Sequence, residues 1–342
     1  MTCFGYDVSR ELPGTGLMTS THWKGVRLSY LWVETAIQII GVVILSPLVE
    51  GIIARLKAVV ECRHGPSIFQ PYFDLRKYLT KETLLNTDST ALFDLAPYFV
   101  FSIYLVISFV IPVILPFPVE FSPIVDLLGG GLLFVLAGVI QILAALDARS
   151  SFTSLGAGRS VTFSAYAEPT LIMVFFAVAL ISNSNNPYLT HDLISASINN
   201  YLTLPHLLSS VAFFMLFLFE TGRLPTESSG LMEFGMIDEA RLYEYSGRHM
   251  FLLKYSSYMK QYLLGSVLIN VFIFPWFLQT GLLGSLLDIP IMLGKWIVVA
   301  IILVFLEETL AKLRLFKIQD YLTLSFALAV FSVITYSLGG LL

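Results

Sequence analysis

"SVTFSAYAEPTLIMVFFAVALIS", residues 160–182, runs for 23 residues with a single charged side chain, Glu168. Wound as an α-helix rising ~1.5 Å per residue, it is long enough to cross the hydrocarbon core of a bilayer, which takes roughly 20 apolar residues. It lacks the strict apolar–polar alternation of a membrane β-barrel strand, so a helix is expected. The same template fits near 30–52, 93–115, 127–146, 201–220, 259–283, 289–307 and 320–341. These runs predict an all-α polytopic membrane protein of about eight crossings, some tilted or kinked, with Pro169 one cause of a bend.

Composition demands the same class. With 56% hydrophobic and 13% charged residues and a mean hydropathy of +0.79, the chain has too little polar surface to coat a soluble globule of 342 residues. Residues 29–342 read as one membrane domain. Residues 1–28 read as a polar extension, since they lack a short apolar region followed by a small-residue cleavage site.

Lysine and arginine assign the sides. Sixteen of the twenty fall in alternate connections: six in 53–92, then Arg149 and Arg159, then five from Arg223 to Lys260, then Lys312, Arg314 and Lys317. The connections 116–126, 183–200 and 281–288 contain none. By the positive-inside rule the basic loops face the cytoplasm and both termini face outward. Lys295, inside the seventh crossing, lies about two turns from the outer end and is expected to snorkel to that interface.

Several chemistries are absent from the pattern. Cys3 and Cys62 are far apart, and the five histidines, at 22, 64, 191, 206 and 249, have no ligand spacing. No metal or iron–sulfur site is therefore expected in this chain. No phosphate-binding glycine loop follows a strand, and Gly129-Gly130-Gly131 sits in an apolar run where close helix packing is the simpler reading. Neither a nucleophile–base pair nor a nucleic-acid surface stands out.

The informative groups are acids. Glu50, Asp147, Glu168, Glu220, Glu307 and Glu308 fall at or inside the cytoplasmic ends of their crossings. Glu168 lies some eight residues into its crossing, roughly 12 Å deep, next to Pro169. A carboxylate in hydrocarbon is relieved by protonation, pairing or water, so a wet proton site weighs against a fixed pair with Arg159 or another cation. Glu220 closes its crossing just before "TGRLP", where an interfacial position is equally natural. The segment after it carries Glu227, Glu233, Asp238, Glu239 and Glu244 among apolar residues, as expected of a loop packed onto something.

These motifs carry a resemblance. "RHGPSIFQPYFDLRKYLTKE" (63–82), Ala96-Pro97, "GAGRSVTFSAYAEP" (156–169), "ETGRLP" (220–225), "EYSGRH" (244–249) and "EETLAKLRLF" (307–316) occur in family order. Together they resemble the family shared by subunit 1 of respiratory NADH dehydrogenase and the membrane anchor of group 4 nickel–iron hydrogenases. The short spacer in "GPSIFQPYFDL" and the form of "EFGMIDEARLYEYSGRH" are similar to its hydrogenase-4 and formate hydrogenlyase branch. The resemblance implies a non-catalytic subunit of the prokaryotic cytoplasmic membrane. Hydrogenase-like large and small subunits would dock on its cytoplasmic face, carrying the nickel–iron centre and the iron–sulfur clusters, with antiporter-like membrane subunits beside it.

Carried over by position, Arg63, Gln70, Asp74, Lys81 and Glu82 match the docking loop, with Arg159, Arg223 and Arg248 as charge partners. Within that loop "FDLRKYL" has Phe73, Tyr78 and Leu79 at near-helical spacing, predicting an amphipathic helix at the interface. Glu168, Glu220, Glu227, Glu233, Asp238, Glu239, Glu244 and Asp147 are the proton-transfer candidates. The expected mechanism is a chain of carboxylates, because burial raises a carboxyl pKa and a nearby arginine lowers it. Two departures matter: Thr226-Glu227 stands where an aromatic or valine precedes Asp, and the loop has lost a histidine. A glutamate that the quinone branch has soon after the first helix is not at its place, so quinone is disfavoured. The alternatives are a quinone-binding subunit, a passive anchor and a stand-alone secondary transporter.

Overall fold

Each of the eight expected crossings contains a helix among the described residues. The computed structural model describes residues 20–84, 89–111, 126–196, 201–223, 239–276, 282–311 and 313–339. The helices are α1 (Ser20–Val60), α2 (Gln70–Thr80), α3 (Ala91–Val110), α4 (Leu127–Asp147) and α5 (Ser151–Ser182). They continue with α6 (Pro187–Ala196), α7 (Leu204–Glu220), α8 (Gly247–Val267), α9 (Leu282–Thr309) and α10 (Lys317–Gly339). Among the described residues six are long and apolar enough to span on their own, within α1, α3, α4, α5, α9 and α10. α7, with 17 residues, is apolar but shorter.

α8 lies where the remaining crossing is expected but is not apolar enough to count among these spans, for a physical reason. It packs against α1, α2 and α3 and buries Ser256, Gln261, Ser266 and, in the π-helical turn Leu268–Ile273 that prolongs it, Asn270. A helix surrounded by protein can hold polar side chains that lipid would reject. α10 lies against α5 and α7, α3 against α4, and α1 against α9. The outward faces remain apolar: Leu132, Leu136, Val139 and Leu143 of α4 and Ile297, Ile301 and Phe305 of α9 are exposed. That is the surface of a polytopic membrane protein.

The glycine run packs helices, as expected. A side chain at Gly131 would stand 2.9 Å from Phe175 of α5, and one at Gly130 would stand 3.0 Å from Val110 of α3. The docking-loop helix also forms, as α2. Pro71 and Leu75 are buried on the bundle, while Phe73 and Leu79 are exposed. Seating is decided by α2 lying on α8 and by the Tyr72 hydroxyl, which donates to the Ile44 carbonyl.

Two expectations are corrected. α5 begins at Ser151, nine residues before the expected start of its crossing, so Glu168 stands in mid-helix. Lys295 does not snorkel: it is 7% exposed and turns inward, its ammonium donating to the Phe274 carbonyl at 2.8 Å. The carbonyl left open at the end of the π-helical turn is a nearer partner than the interface.

Candidate functional site: a buried charge network

The chain end of α7 shows how local sequence builds the site. Thr221, Gly222 and Arg223 form a Schellman cap, with the Gly222 N–H bonding the Phe219 carbonyl at 3.0 Å and the Arg223 N–H bonding the Leu218 carbonyl at 2.9 Å. Gly222 takes φ +61°, the left-handed conformation that a side chain disfavours. This turn folds Arg223 back into the bundle, where the residue is 9% exposed.

Three elements meet the guanidinium there. Nη2 donates to Glu50 of α1 at 2.5 Å and to Gln261 of α8 at 3.3 Å, and Nη1 donates to Glu307 of α9 at 3.0 Å. Glu307 also accepts from Lys57, 2.9 Å away. Glu50 and Lys57, seven residues apart, share a face of α1. Burial works against the Arg223 cation, but Glu50 and Glu307 outweigh it and hold the guanidinium above its ordinary pKa. Two carboxylates and two cations thus neutralise one another around the buried guanidinium.

A second cluster adjoins the first through one peptide bond of α8. Lys260, next to Gln261, pairs with Glu220 at 2.5 Å. The pair faces a cavity of about 40 Å³ lined also by Ser160, Ser164 and Glu168 of α5 and by Arg241. A water needs roughly 10–15 Å³ of such space, so the cavity has room for a few. Glu168 shares this cavity with Ser164 and lies within electrostatic reach of both Glu220 and Lys260. Arg241, 6% exposed, comes from the short 3₁₀ turn Glu239–Leu242 that follows the acidic loop.

The structure therefore brings together two of the expected proton carriers, Glu168 and Glu220, and sets Arg223 beside them. Arg159 is half-buried on α5 and does not line the cavity; the cations there are Lys260 and Arg241. Asp147 lies elsewhere and caps α3, accepting from the Thr90 N–H at 2.9 Å, the Thr90 hydroxyl at 2.7 Å and the Phe93 N–H at 3.2 Å. Glu244 is half-buried beside Tyr245, and the backbone of Glu239 belongs to the 3₁₀ turn. Glu227, Glu233 and Asp238 lie outside the described residues.

The docking-loop residues are largely occupied with one another. Arg63 pairs with Glu61, Gln70 donates to Asp74 at 2.9 Å, and Lys81 sits 5.9 Å from the Tyr78 ring centre. The loop is fastened to "EYSGRH". The Ser246 hydroxyl accepts from the Leu84 N–H at 2.8 Å, the Arg248 N–H donates to the Thr83 hydroxyl at 3.2 Å, and Gly247, at φ +52°, presses on the Glu82 carbonyl. Tyr245 stacks on Phe93 with ring centres 4.1 Å apart, and burial, with Asp94 and Asp147 nearby, pushes its phenol above the ordinary pKa.

Sequence reasoning missed the roles of Lys57, Lys260, Gln261 and Arg241, and treated Glu50 and Glu307 only as acids at helix ends. The seven-residue spacing of Glu50 and Lys57 was the available signal; the rest depend on helices distant in sequence. Among the described residues no group of three His, Cys, Asp or Glu side chains could hold a metal ion.

A family model described as NADH dehydrogenase matches residues 33–337. The chain is 27% identical over 317 residues to hydrogenase-4 component C of Escherichia coli (strain K12), covering 91% of this chain and 97% of that one. It is 28% identical over 285 residues to formate hydrogenlyase subunit 4 of the same organism, covering 82% and 90%. To NADH-ubiquinone oxidoreductase chain 1 of Papio hamadryas it is 32% identical over 183 residues, covering 50% and 54%. Its fold is similar to that of a chain in the membrane-bound sulfane sulfur reductase, an archaeal respiratory membrane complex, with a TM-score of 0.75, 20% identity, and coverage of 90% of this chain and 99% of that one.

Proposed function

We propose, because the chain belongs to the NADH dehydrogenase family, that it is the membrane subunit of a complex I-related hydrogenase or respiratory complex in a prokaryotic cytoplasmic membrane. In this reading it docks a hydrophilic redox module and couples electron transfer to proton movement. Near full-length similarity to the hydrogenase-4 component, against about half for the ubiquinone-linked chain, supports the hydrogenase branch over a quinone site. The redox centres, nickel–iron and iron–sulfur, would belong to large and small subunits seated on the basic face. Antiporter-like subunits would lie beside the bundle. The charge asymmetry of the loops supports termini on the opposite, outer side.

The observation that carries the coupling is the shared cavity, where Glu168 and Glu220 face two cations, Lys260 and Arg241. Withdrawal of either cation leaves one carboxylate uncompensated, and that carboxylate takes up a proton. Arg241 sits at the end of the acidic loop, so a partner pressing on that loop moves a cation at the cavity. The charge-balanced Glu50–Arg223–Glu307–Lys57 network, reached through Gln261, lies next to it.

The test is Glu168→Gln in the assembled complex, reconstituted in vesicles loaded with a pH-sensitive dye. Proton movement per electron is expected to fall at least tenfold while electron transfer to an artificial acceptor persists. Unchanged proton movement would sink the carboxylate mechanism. Purification of the tagged chain without redox subunits would instead favour a stand-alone transporter.

A further inference from the structure

α9 carries a buried cation of its own. Lys295 lies twelve residues before Glu307 on the same helix, ~18 Å away at 1.5 Å per residue, toward the opposite end of the bundle. Its ammonium bonds the Phe274 carbonyl at 2.8 Å and approaches the Asn270 side-chain oxygen at 3.4 Å. Phe274 follows the π-helical turn Leu268–Ile273, and its N–H bonds the Ile269 carbonyl at 2.7 Å, the wide ring that disturbs the regular ladder. Asp288, fully buried, is seven residues before Lys295, on the same face of α9 and within electrostatic reach of it.

Polar groups bridge the distance from Lys295 to the carboxylates. Asn270, Ser266 and Gln261 of α8 are all buried, and Trp296 of α9 stacks on Tyr262 with ring centres 5.4 Å apart. The Trp296 Nε1 and Gln261 Nε2 donors are buried without a hydrogen-bond partner among the described residues. Buried donors of that kind are where proteins hold internal water. Trp296 keeps α8 and α9 apart by lying against Gly265, where an added side chain would meet the indole at 2.1 Å.

We propose that Lys295 and Asp288 form a proton-exchange pair at the end of the bundle opposite the carboxylate network. A proton passes from the Lys295 ammonium through a bridging water to the Asp288 carboxylate, leaving a neutral amine and a neutral acid. The acid releases its proton to water at its own end of the bundle, and the amine takes one arriving along the α8–α9 seam. The pair's net charge is zero before and after the internal transfer, and no electron moves. A lysine suits this role because its ammonium can lose a proton, whereas a guanidinium cannot. The proposal rests on the proton-coupling reading above.

The test compares Lys295→Arg and Asp288→Asn with Glu168→Gln in the assembled complex, in dye-loaded vesicles. Arginine keeps the fixed cation for the π-helical turn, so a purely structural lysine predicts wild-type proton movement. We expect instead that Lys295→Arg and Asp288→Asn each lower protons moved per electron at least fivefold with electron transfer retained. Wild-type coupling in either variant overturns the pair. If Lys295→Arg fails to assemble, Asp288→Asn decides, and failure of both marks a structural pair and overturns the proposal. Loss in Glu168→Gln with both pair variants unaffected refutes this inference alone; intact coupling in Glu168→Gln refutes the carboxylate mechanism instead.

Discussion

Replacing Arg223 with methionine removes the one side chain that holds Glu50 and Glu307 together. Glu307 is left with Lys57, while Glu50, whose side chain is 27% exposed against 5% for Glu307, is left to water. Removing one partner of a buried ion pair costs ~3–5 kcal/mol, chiefly from the charge left stranded. The retained Lys57 contact and the partial exposure of Glu50 place the expectation at ~3 kcal/mol, roughly a hundredfold in the folding equilibrium. Lys57→Met should cost far less, ~1 kcal/mol or below, because the Lys57 side chain is 32% exposed and water replaces much of its interaction. Adding Glu307→Gln to Arg223→Met should recover ~1–2 kcal/mol, since it removes the stranded charge. The assay is unfolding of the purified protein in mixed micelles by graded SDS, followed by tryptophan fluorescence. If Arg223→Met proves no more damaging than Lys57→Met, the reasoning that the network is buried and mutually dependent is wrong.

Two other variants test the frame around the site. Gly247→Ala places a methyl 2.6 Å from the Glu82 carbonyl at a φ of +52°, and the left-handed backbone alone costs an L-residue ~1–2 kcal/mol. The 63–84 loop should loosen, and trypsin should cut at the exposed Arg76 and Lys77 several-fold faster than in wild type; an unchanged rate would show that the loop is held otherwise. Asp147→Ala removes three acceptor contacts at the start of α3 and should cost ~1–2 kcal/mol, as loss of a helix cap does, with proton movement per electron unchanged. A selective loss of coupling in that variant would return Asp147 to the proton path.

The sequence by itself determined the class of solvent and the all-helical fold. An apolar run of 20 residues has few alternatives in a bilayer, where every backbone group must be bonded within the chain, so six of the expected crossings stand out by length and hydropathy alone. It also singled out Glu168, because a carboxylate inside such a run is costly wherever the other helices lie. The cap that aims Arg223 was legible for the same local reason: Thr-Gly-Arg-Leu-Pro is a helix stop with a left-handed glycine. What meets Arg223 was not legible. Glu50, Gln261 and Glu307 stand 173, 38 and 84 residues away in the chain, and only packing of α1, α8 and α9 brings them to one guanidinium. Lys295 illustrates the same limit, since its distance from the helix end favoured the interface. Only the tertiary fold offered the Phe274 carbonyl 2.8 Å away, and a buried ammonium takes the nearer acceptor.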